Sequence, residues 1–358
     1  MPEQFQPGPE EVGADPIEVT PTKPKARVAD HPISSFNLNT KGQNPDFPDF
    51  DDENAPELLP STELQAELED LRLPINPESG QHLGYLELNR DAADPRPVVS
   101  FFEYSVDADH AGSKHLLEQL ALQSQRHIYA FENPSTGGSD KLTAEQHEAL
   151  KKGDFEPIAR SILENMQAVG LKAVDLNGHS LGARIAGSVA AHASEYGIVV
   201  KNLVLMEPAG LDDASIGKLI YRLGVKEGWN MIKYQKHVQD PRGKETFDTP
   251  IDVVKNYAGM IRRDTKGNIW AYPKGLGKPT LATDLILALK TQEGMKTHLI
   301  TGGASQIARR KTVNETYTAL STVYGPRVHM VRLPGDTHML NMGAARRMAW
   351  HISRLIDN

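Results

Sequence analysis

The pattern of apolar and polar positions changes near residue 80 of the 358-residue chain. Beyond that point, short apolar or alternating runs predict strands over 82–88, 98–102, 126–131, 172–177, 200–206, 297–301 and 327–333. Helical spacing of apolar residues predicts helices over 114–123, over 143–169 with an interruption near Gly153, and over 183–193. Strands that alternate with helices in this way predict an α/β fold. Its sheet would be mainly parallel, with helices on both faces.

The carboxyl ends of parallel strands are where ligands bind in such sheets. Residues that follow the strands ending near positions 102, 131, 177 and 206 should therefore surround one cleft. None of these strands is followed by the glycine-rich fingerprint of a dinucleotide site. The sequence thus directs attention to a different kind of chemistry.

The first 75 residues have a different composition from the rest. Residues 1–70 hold sixteen acidic and four basic side chains, and eleven of the 24 prolines lie within the first 60 residues. Such a segment buries too little apolar surface to offset the entropy lost on ordering, so we predict an acidic, proline-rich disordered tail. A short helix over 62–73 is compatible with the local spacing. The tail could bind a protein partner or be a solvated extension.

Composition excludes further classes. The chain has no cysteine, so disulfides, thiolate metal sites and a cysteine nucleophile are excluded. No run of about 18 apolar residues is present, which predicts no membrane span. The N-terminus lacks the basic start and apolar core of a secretory signal, so the expected location is the cytoplasm. Residues 71–358 carry a net charge of +4, and nothing in them predicts a nucleic-acid site.

A Gly-x-Ser-x-Gly motif stands between a predicted strand and a predicted helix, at Gly178-His179-Ser180-Leu181-Gly182. A serine in a sharp strand-to-helix turn projects into the cleft, and the two glycines leave room for neighbouring backbone. The helix N-terminus supplies amide groups and a partial positive charge for a developing oxyanion. We predict that Ser180 is a nucleophile. An ordinary tight turn with an incidental serine is the alternative.

From about Arg96 to Ala209, and again from Thr297 onward, the chain resembles the α/β-hydrolase superfamily of lipases, esterases and haloperoxidases. The elbow motif matches fully, and the turn that begins at Glu132-Asn133-Pro134 is similar to that family's Asp-x-Pro-Gly turn. The resemblance implies the α/β-hydrolase fold. It also places the catalytic base after the last strand, at His338 in Pro334-Gly-Asp-Thr-His338. A neutral imidazole there could accept the Ser180 proton and return it to the leaving group.

The acid departs from the family pattern. The family places an aspartate after the strand over 297–301, where this chain has Ser305. Glu207 follows the strand over 200–206, where some lipases of this fold carry their acid, and we favour it. Asp336 lies only two residues before His338, which is poor geometry for orienting the ring. Absence of an acid is the third alternative.

The oxyanion turn departs as well, because relatives often have His-Gly where this chain has Glu103-Tyr104-Ser105. We predict that the Leu181 amide is one oxyanion donor and that an amide at Tyr104 or Ser105 is the second. No metal and no organic cofactor is implied.

The predicted domains are a tail over 1–75, a core in two parts over 76–210 and 296–358, and a helical lid or cap over 211–295. In the insertion, Ile251, Val254, Ala258 and Ile261 have helical spacing, as do Leu281, Leu285, Ala288 and Leu289. An apolar lid would exclude water and shape an acyl pocket, whereas the plainer alternative is a packing cap.

These observations predict a soluble serine hydrolase that cleaves a small-molecule ester or thioester through an acyl-enzyme. The departures at the acid and the oxyanion turn motivate an alternative from a different class, a non-catalytic α/β-hydrolase-like binding protein. A peroxidase or lyase that reuses the fold is a third hypothesis, because fold does not determine reaction.

Overall fold

A seven-stranded sheet organises the computed structural model, which describes residues 80–104, 106–108, 110–230, 270–333, 336–340 and 344–357. The predicted tail, the helix over 62–73 and the helical spacing over 251–261 lie outside the described residues. The strands are β1 (Tyr85–Leu88), β2 (Asp94–Phe101), β3 (Arg126–Phe131), β4 (Ala173–His179), β5 (Val199–Met206), β6 (Lys296–Gly302) and β7 (Val328–Leu333). Their order across the sheet is β1-β3-β2-β4-β5-β6-β7. All neighbours are parallel except β1, which pairs antiparallel with β3.

Helices cover the sheet between these strands. They are α1 (Ala111–Ser124), α2 (Ala144–Lys151), α3 (Glu156–Ala168), α4 (Leu181–His192), α5 (Ile216–Ile220), α6 (Ala271–Leu276), α7 (Leu281–Thr291), α8 (Arg310–Tyr324) and α9 (Ala345–Asp357). Short 3-10 turns occupy Ala193–Tyr196 and Gly325–Arg327, and a π-helical segment, Tyr221–Glu227, continues α5.

Two separate cores explain why the central strands are apolar on both faces. Successive side chains of a strand point to opposite faces, so Leu203 and Leu205 of β5 join one core and Val204 and Met206 join the other. Apolar residues of α3, α4 and α7 complete the first core, and those of α1 and α9 complete the second. The α/β-hydrolase arrangement predicted from the sequence, a mostly parallel sheet between two helical layers, is confirmed.

The predicted strands agree with the observed ones to within a few residues, and β3 agrees at both ends. The predicted stretch over 143–169 is two helices, α2 and α3. Gly153 separates them with a φ of +79°, a conformation that favours glycine. The side chain of Thr143 caps the N-terminus of α2, in a capping box with Gln146.

Within the insertion, the structure describes residues 211–230 and 270–295. The apolar face predicted for Leu281, Leu285, Ala288 and Leu289 is that of α7, and all four side chains are buried in the first core. A Cβ at Gly187 of α4 would press on Leu281, so α7 lies directly against α4. This helix therefore packs beside α4, the helix that follows Ser180.

No helix among the described residues is both long and apolar enough to cross a bilayer.

Candidate active site

Ser180 occupies a strained turn between β4 and α4. Its backbone φ is 56° and its ψ is −111°, a region that non-glycine residues rarely adopt. The turn is held by hydrogen bonds from the Ser180 amide to the Met206 carbonyl, at 3.0 Å, and from the Arg184 amide to the Ser180 carbonyl, at 3.2 Å. The strain is thus supported by the sheet and the helix together.

The two glycines of the motif allow β2, β4 and α4 to approach closely. A Cβ on Gly182 would overlap the carbonyl of Phe101 at the end of β2, and a Cβ on Gly178 would overlap the backbone of Gly182. Both obstacles are backbone atoms, which cannot rotate away.

We expect Gly182→Ala to destabilise the protein by roughly 3 kcal/mol or more, because overpacking against backbone forces the strand and helix apart. Gly217→Ala is the matched control, since a Cβ at exposed Gly217 of α5 meets nothing within 4 Å. Urea unfolding of both variants measures the difference. Equal unfolding midpoints for the two variants would contradict this close approach.

Three side chains form a hydrogen-bonded series at the carboxyl end of the sheet. The Ser180 Oγ lies 2.9 Å from Nε2 of His338, and Nδ1 of His338 lies 3.2 Å from Oε2 of Glu207. All three are buried, and Glu207 is fully so. When Glu207 is ionised it can only accept, so Nδ1 of His338 carries the hydrogen and Nε2 accepts a hydrogen bond from the Ser180 hydroxyl. The structure thus brings together Ser180, His338 and Glu207.

Glu207 is held in place from several sides. It directly follows β5 with a φ of 48°, and its own amide donates to the Ile300 carbonyl at 2.8 Å. Its carboxylate accepts hydrogen bonds from the Gly302 amide and from the Ser305 side chain. Ser305, at the family's acid position, therefore supports the carboxylate that comes from the neighbouring strand.

Burial controls the protonation of this pair. Burial raises the pKa of Glu207 to about 8 and lowers the pKa of His338 to about 3. Between these values the pair carries one proton, and it reaches the state with ionised Glu207 and neutral His338 only when that proton leaves. His338 could therefore accept a proton beside an ionised Glu207 only at a pH above the upper pKa.

Asp336 has a different partner. Its two carboxylate oxygens lie 2.6 and 2.5 Å from Nη2 of Arg347 in α9. This ion pair holds the loop that carries His338 against the C-terminal helix. The carboxylate of Asp336 therefore pairs with Arg347.

The predicted oxyanion donors are only partly described. Leu181 is the first residue of α4 and is buried, so its amide lies at the positive end of the helix dipole. Tyr104 follows β2 and packs against the first core, whereas Ser105 lies outside the described residues. Both donors stay predictions.

A second carboxylate–histidine pair lies beside the first. Nε2 of His179 donates to the backbone carbonyl of His338 at 2.7 Å, and the two imidazole rings are 4.9 Å apart. Nδ1 of His179 lies 3.9 Å from Oε2 of Glu103. Burial would raise the pKa of Glu103, but His179, His110 and a backbone hydrogen bond together outweigh it and lower that pKa to about 2. Glu103 is thus ionised in the turn where relatives often have His-Gly. The unusual acidic residue at this turn is visible in the sequence and could have indicated the pair.

Sequence reasoning also missed Glu227, the last residue of the π-helical segment. This side chain is fully buried, and it accepts hydrogen bonds from the amides of His338, at 3.3 Å, and Gln306. No sequence motif marks it.

Among the described residues, no group of three or more histidine, aspartate or glutamate side chains is arranged to hold a metal ion.

Comparison with known proteins agrees with this architecture. The family model for the alpha/beta hydrolase fold matches residues 108–229, which include the elbow. A dihydrolipoyllysine-residue acetyltransferase component of the acetoin cleaving system of Pseudomonas putida is 22% identical over 271 residues. The match covers 75% of this chain and 65% of that protein, so the chain spans slightly less than two thirds of this relative.

Solved structures show the same fold at low identity. A carboxylesterase structure from the thaumarchaeon Nitrososphaera gargenis superposes with a TM-score of 0.54 at 13% identity, covering 79% of this chain and 97% of that one. The epoxide hydrolase CorEH superposes with a TM-score of 0.50 at 16% identity, covering 78% and 96%.

Proposed function

This chain has the α/β-hydrolase fold, and on that premise we propose that it is a serine hydrolase that cleaves a carboxylic ester or thioester through an acyl-enzyme on Ser180. The observation that carries the proposal is the hydrogen-bonded series Ser180–His338–Glu207 in the buried end of the sheet. This is the arrangement that activates a serine hydroxyl.

The first half-reaction follows from the geometry. His338 Nε2 takes the hydroxyl proton of Ser180 while Oγ attacks the carbonyl carbon of the substrate. The tetrahedral oxyanion would accept hydrogen bonds from the amide of Leu181 and from an amide at Tyr104 or Ser105. When the tetrahedral intermediate collapses, the bond to the leaving oxygen or sulfur breaks, and His338 gives its proton to that atom.

In the second half-reaction, His338 takes a proton from water, and the resulting hydroxide attacks the acyl carbon on Ser180. Collapse releases a carboxylic acid and returns the proton to Oγ. Throughout, Glu207 keeps the hydrogen of His338 on Nδ1 and stabilises the imidazolium that forms twice in each cycle.

The substrate class rests on relatives as well as on geometry. The superposed thaumarchaeal structure is described as a carboxylesterase, and the Pseudomonas putida relative is named for the transfer of an acetyl group. Both names concern acyl groups, which supports an acyl substrate for this site.

A non-catalytic binding protein is the second candidate, and one observation favours it. Glu103 carries a buried negative charge at the turn that should supply the second oxyanion donor. A negative charge there opposes the charge that develops on the substrate oxygen, unless His179 compensates it.

A fluorophosphonate probe decides between the two candidates. We expect it to label the intact protein at Ser180, as located by peptide mass spectrometry, and not to label Ser180→Ala. Ser188→Ala is the matched control, because Ser188 is a second buried serine of the same helix. Absence of labelling in a folded wild-type protein would favour the binding protein.

A further inference from the structure

Two buried glutamates hold the same two parts of the active site. The carboxylate of Glu207 contacts the loop after β6, through Gly302 and Ser305, and the imidazole of His338. The carboxylate of Glu227 contacts that same loop, through the amide of Gln306, and the backbone amide of His338. The base is thus held at its side chain by one glutamate and at its backbone by the other.

Glu227 comes from outside the sheet. It ends the π-helical segment Tyr221–Glu227, whose neighbours Ile220 and Trp229 are 49% and 62% exposed. Within the segment, Arg222 and Glu227 are the buried residues. A fully buried carboxylate is costly unless its hydrogen bonds are made, and both oxygens of Glu227 have an amide donor here. Segments of π-helix are frequent at functional sites, because the extra residue redirects a side chain.

A separate ion pair fastens the same segment at its other end. Nη1 of Arg222 lies 2.9 Å from Oδ2 of Asp212. Asp212 also accepts hydrogen bonds from Arg309, at both oxygens, and from Thr312, at Oδ1. The segment therefore has an anchor that does not involve His338. Attachment of the segment and contact with the base can be separated by mutation.

We propose that Glu227 is a positioning residue of the active site, which fixes the backbone of His338 and adds negative charge beside the imidazolium formed in turnover. This inference rests on the proposed function. The titratable groups near His338 are Glu207, Glu227, Glu103 and His179, whose ring centroid lies 4.9 Å from that of His338. Burial raises the pKa of Glu227 and the nearby Glu207 adds to this shift, whereas His338 and the amides of Gln306 and His338 favour the ionised carboxylate.

Glu227→Gln tests the proposal, because the amide keeps the size of the side chain but loses the charge and one of the two accepting oxygens. We expect kcat to fall about 10- to 100-fold with little change in KM, since a small displacement of the base affects chemistry more than binding. The acid limb of the pH–rate profile should move to lower pH, because less negative charge makes loss of the proton of the Glu207–His338 pair easier.

Arg222→Gln is the matched control, since it loosens the same segment at the other anchor. We expect it to lower the thermal midpoint while leaving the acid limb in place. If Arg222→Gln reproduced the shift of the limb, or if Glu227→Gln left kcat and the limb at wild-type values, Glu227 would have only a structural role. Glu227→Asp keeps the charge and should retain the wild-type limb even where packing suffers.

A second readout does not depend on turnover. In ¹⁵N-histidine-labelled protein, the imidazole signal of His338, identified by its loss in His338→Gln, should titrate at a different pH in Glu227→Gln than in wild type. An unchanged titration would overturn the role of Glu227. A shifted titration in a protein that no fluorophosphonate labels would uphold the influence of Glu227 on His338 and refute the proposed hydrolase function.

Discussion

Ser180→Ala is expected to lower kcat/KM for an ester substrate by about 10⁴-fold or more, the loss typical of removing the nucleophile of a serine hydrolase. The Oγ of Ser180 is the atom that would form the covalent intermediate, and it lies 2.9 Å from the imidazole that would accept its proton. Alanine leaves no atom to take over this role. Hydrolysis of p-nitrophenyl esters of increasing acyl length would measure the loss.

Ser180→Ala should lose activity without a comparable loss of stability. The surrounding sheet and helix hold Ser180 at a φ of 56°, and this backbone strain lowers the stability of the fold. We therefore expect the free energy of unfolding of Ser180→Ala to lie within about 1 kcal/mol of the wild-type value. Ser180→Gly should be at least as stable as the wild type, because glycine adopts positive φ readily. Retention of wild-type turnover in folded Ser180→Ala would refute the assignment of the nucleophile.

Glu207→Gln is expected to lower kcat by roughly 10²- to 10⁴-fold, because a neutral amide neither fixes the hydrogen on Nδ1 nor stabilises the imidazolium. Asp336→Asn is the matched control. Its carboxylate pairs with Arg347 rather than with the imidazole, so its loss should reduce stability and leave kcat within a few-fold. Similar kcat values for Glu207→Gln and the wild type would refute the assignment of the acid.

The pH dependence provides an independent check on Glu207. Because burial raises its pKa to about 8, the pair with His338 loses its shared proton only near that pH. Wild-type kcat/KM should therefore rise through about pH 8, well above the usual pKa of a histidine. In Glu207→Gln the residual activity should depend on His338 alone, and its acid limb should lie at lower pH. A limb at the same pH in both proteins would show that Glu207 does not share the proton.

The same shift has a defined consequence for stability. A carboxyl whose pKa is raised on folding stabilises the folded state below its unfolded pKa of about 4.5, and this contribution is lost as the pH rises through about 8. Alkaline conditions that favour activity thus weaken the fold at this residue. The cost is consistent with a buried carboxylate kept for its chemistry.

Local signals in the sequence predicted much of this protein. Apolar runs and helical spacing located the strands and helices, since burial on both faces of a parallel sheet demands continuous apolar strands. The elbow motif located Ser180, and the loop after the last strand located His338, because both depend on short stretches of chain. For the acid, the same reasoning left Glu207, Asp336 and absence as alternatives.

Only the tertiary structure decided which carboxylates reach His338, at its imidazole or at its backbone amide. Glu207 and Glu227 are 131 and 111 residues from His338 in the chain, so their contacts depend on the register of β5 against β6 and on where the π-helical segment turns inward. Asp336, two residues away, is drawn to Arg347 of α9 instead. Sequence alone therefore determined the strands and pointed to the proposed nucleophile and base, because the signals for all of these are local. The partners of the base were decided by packing, because buried charges take the partners that the fold brings within hydrogen-bond distance.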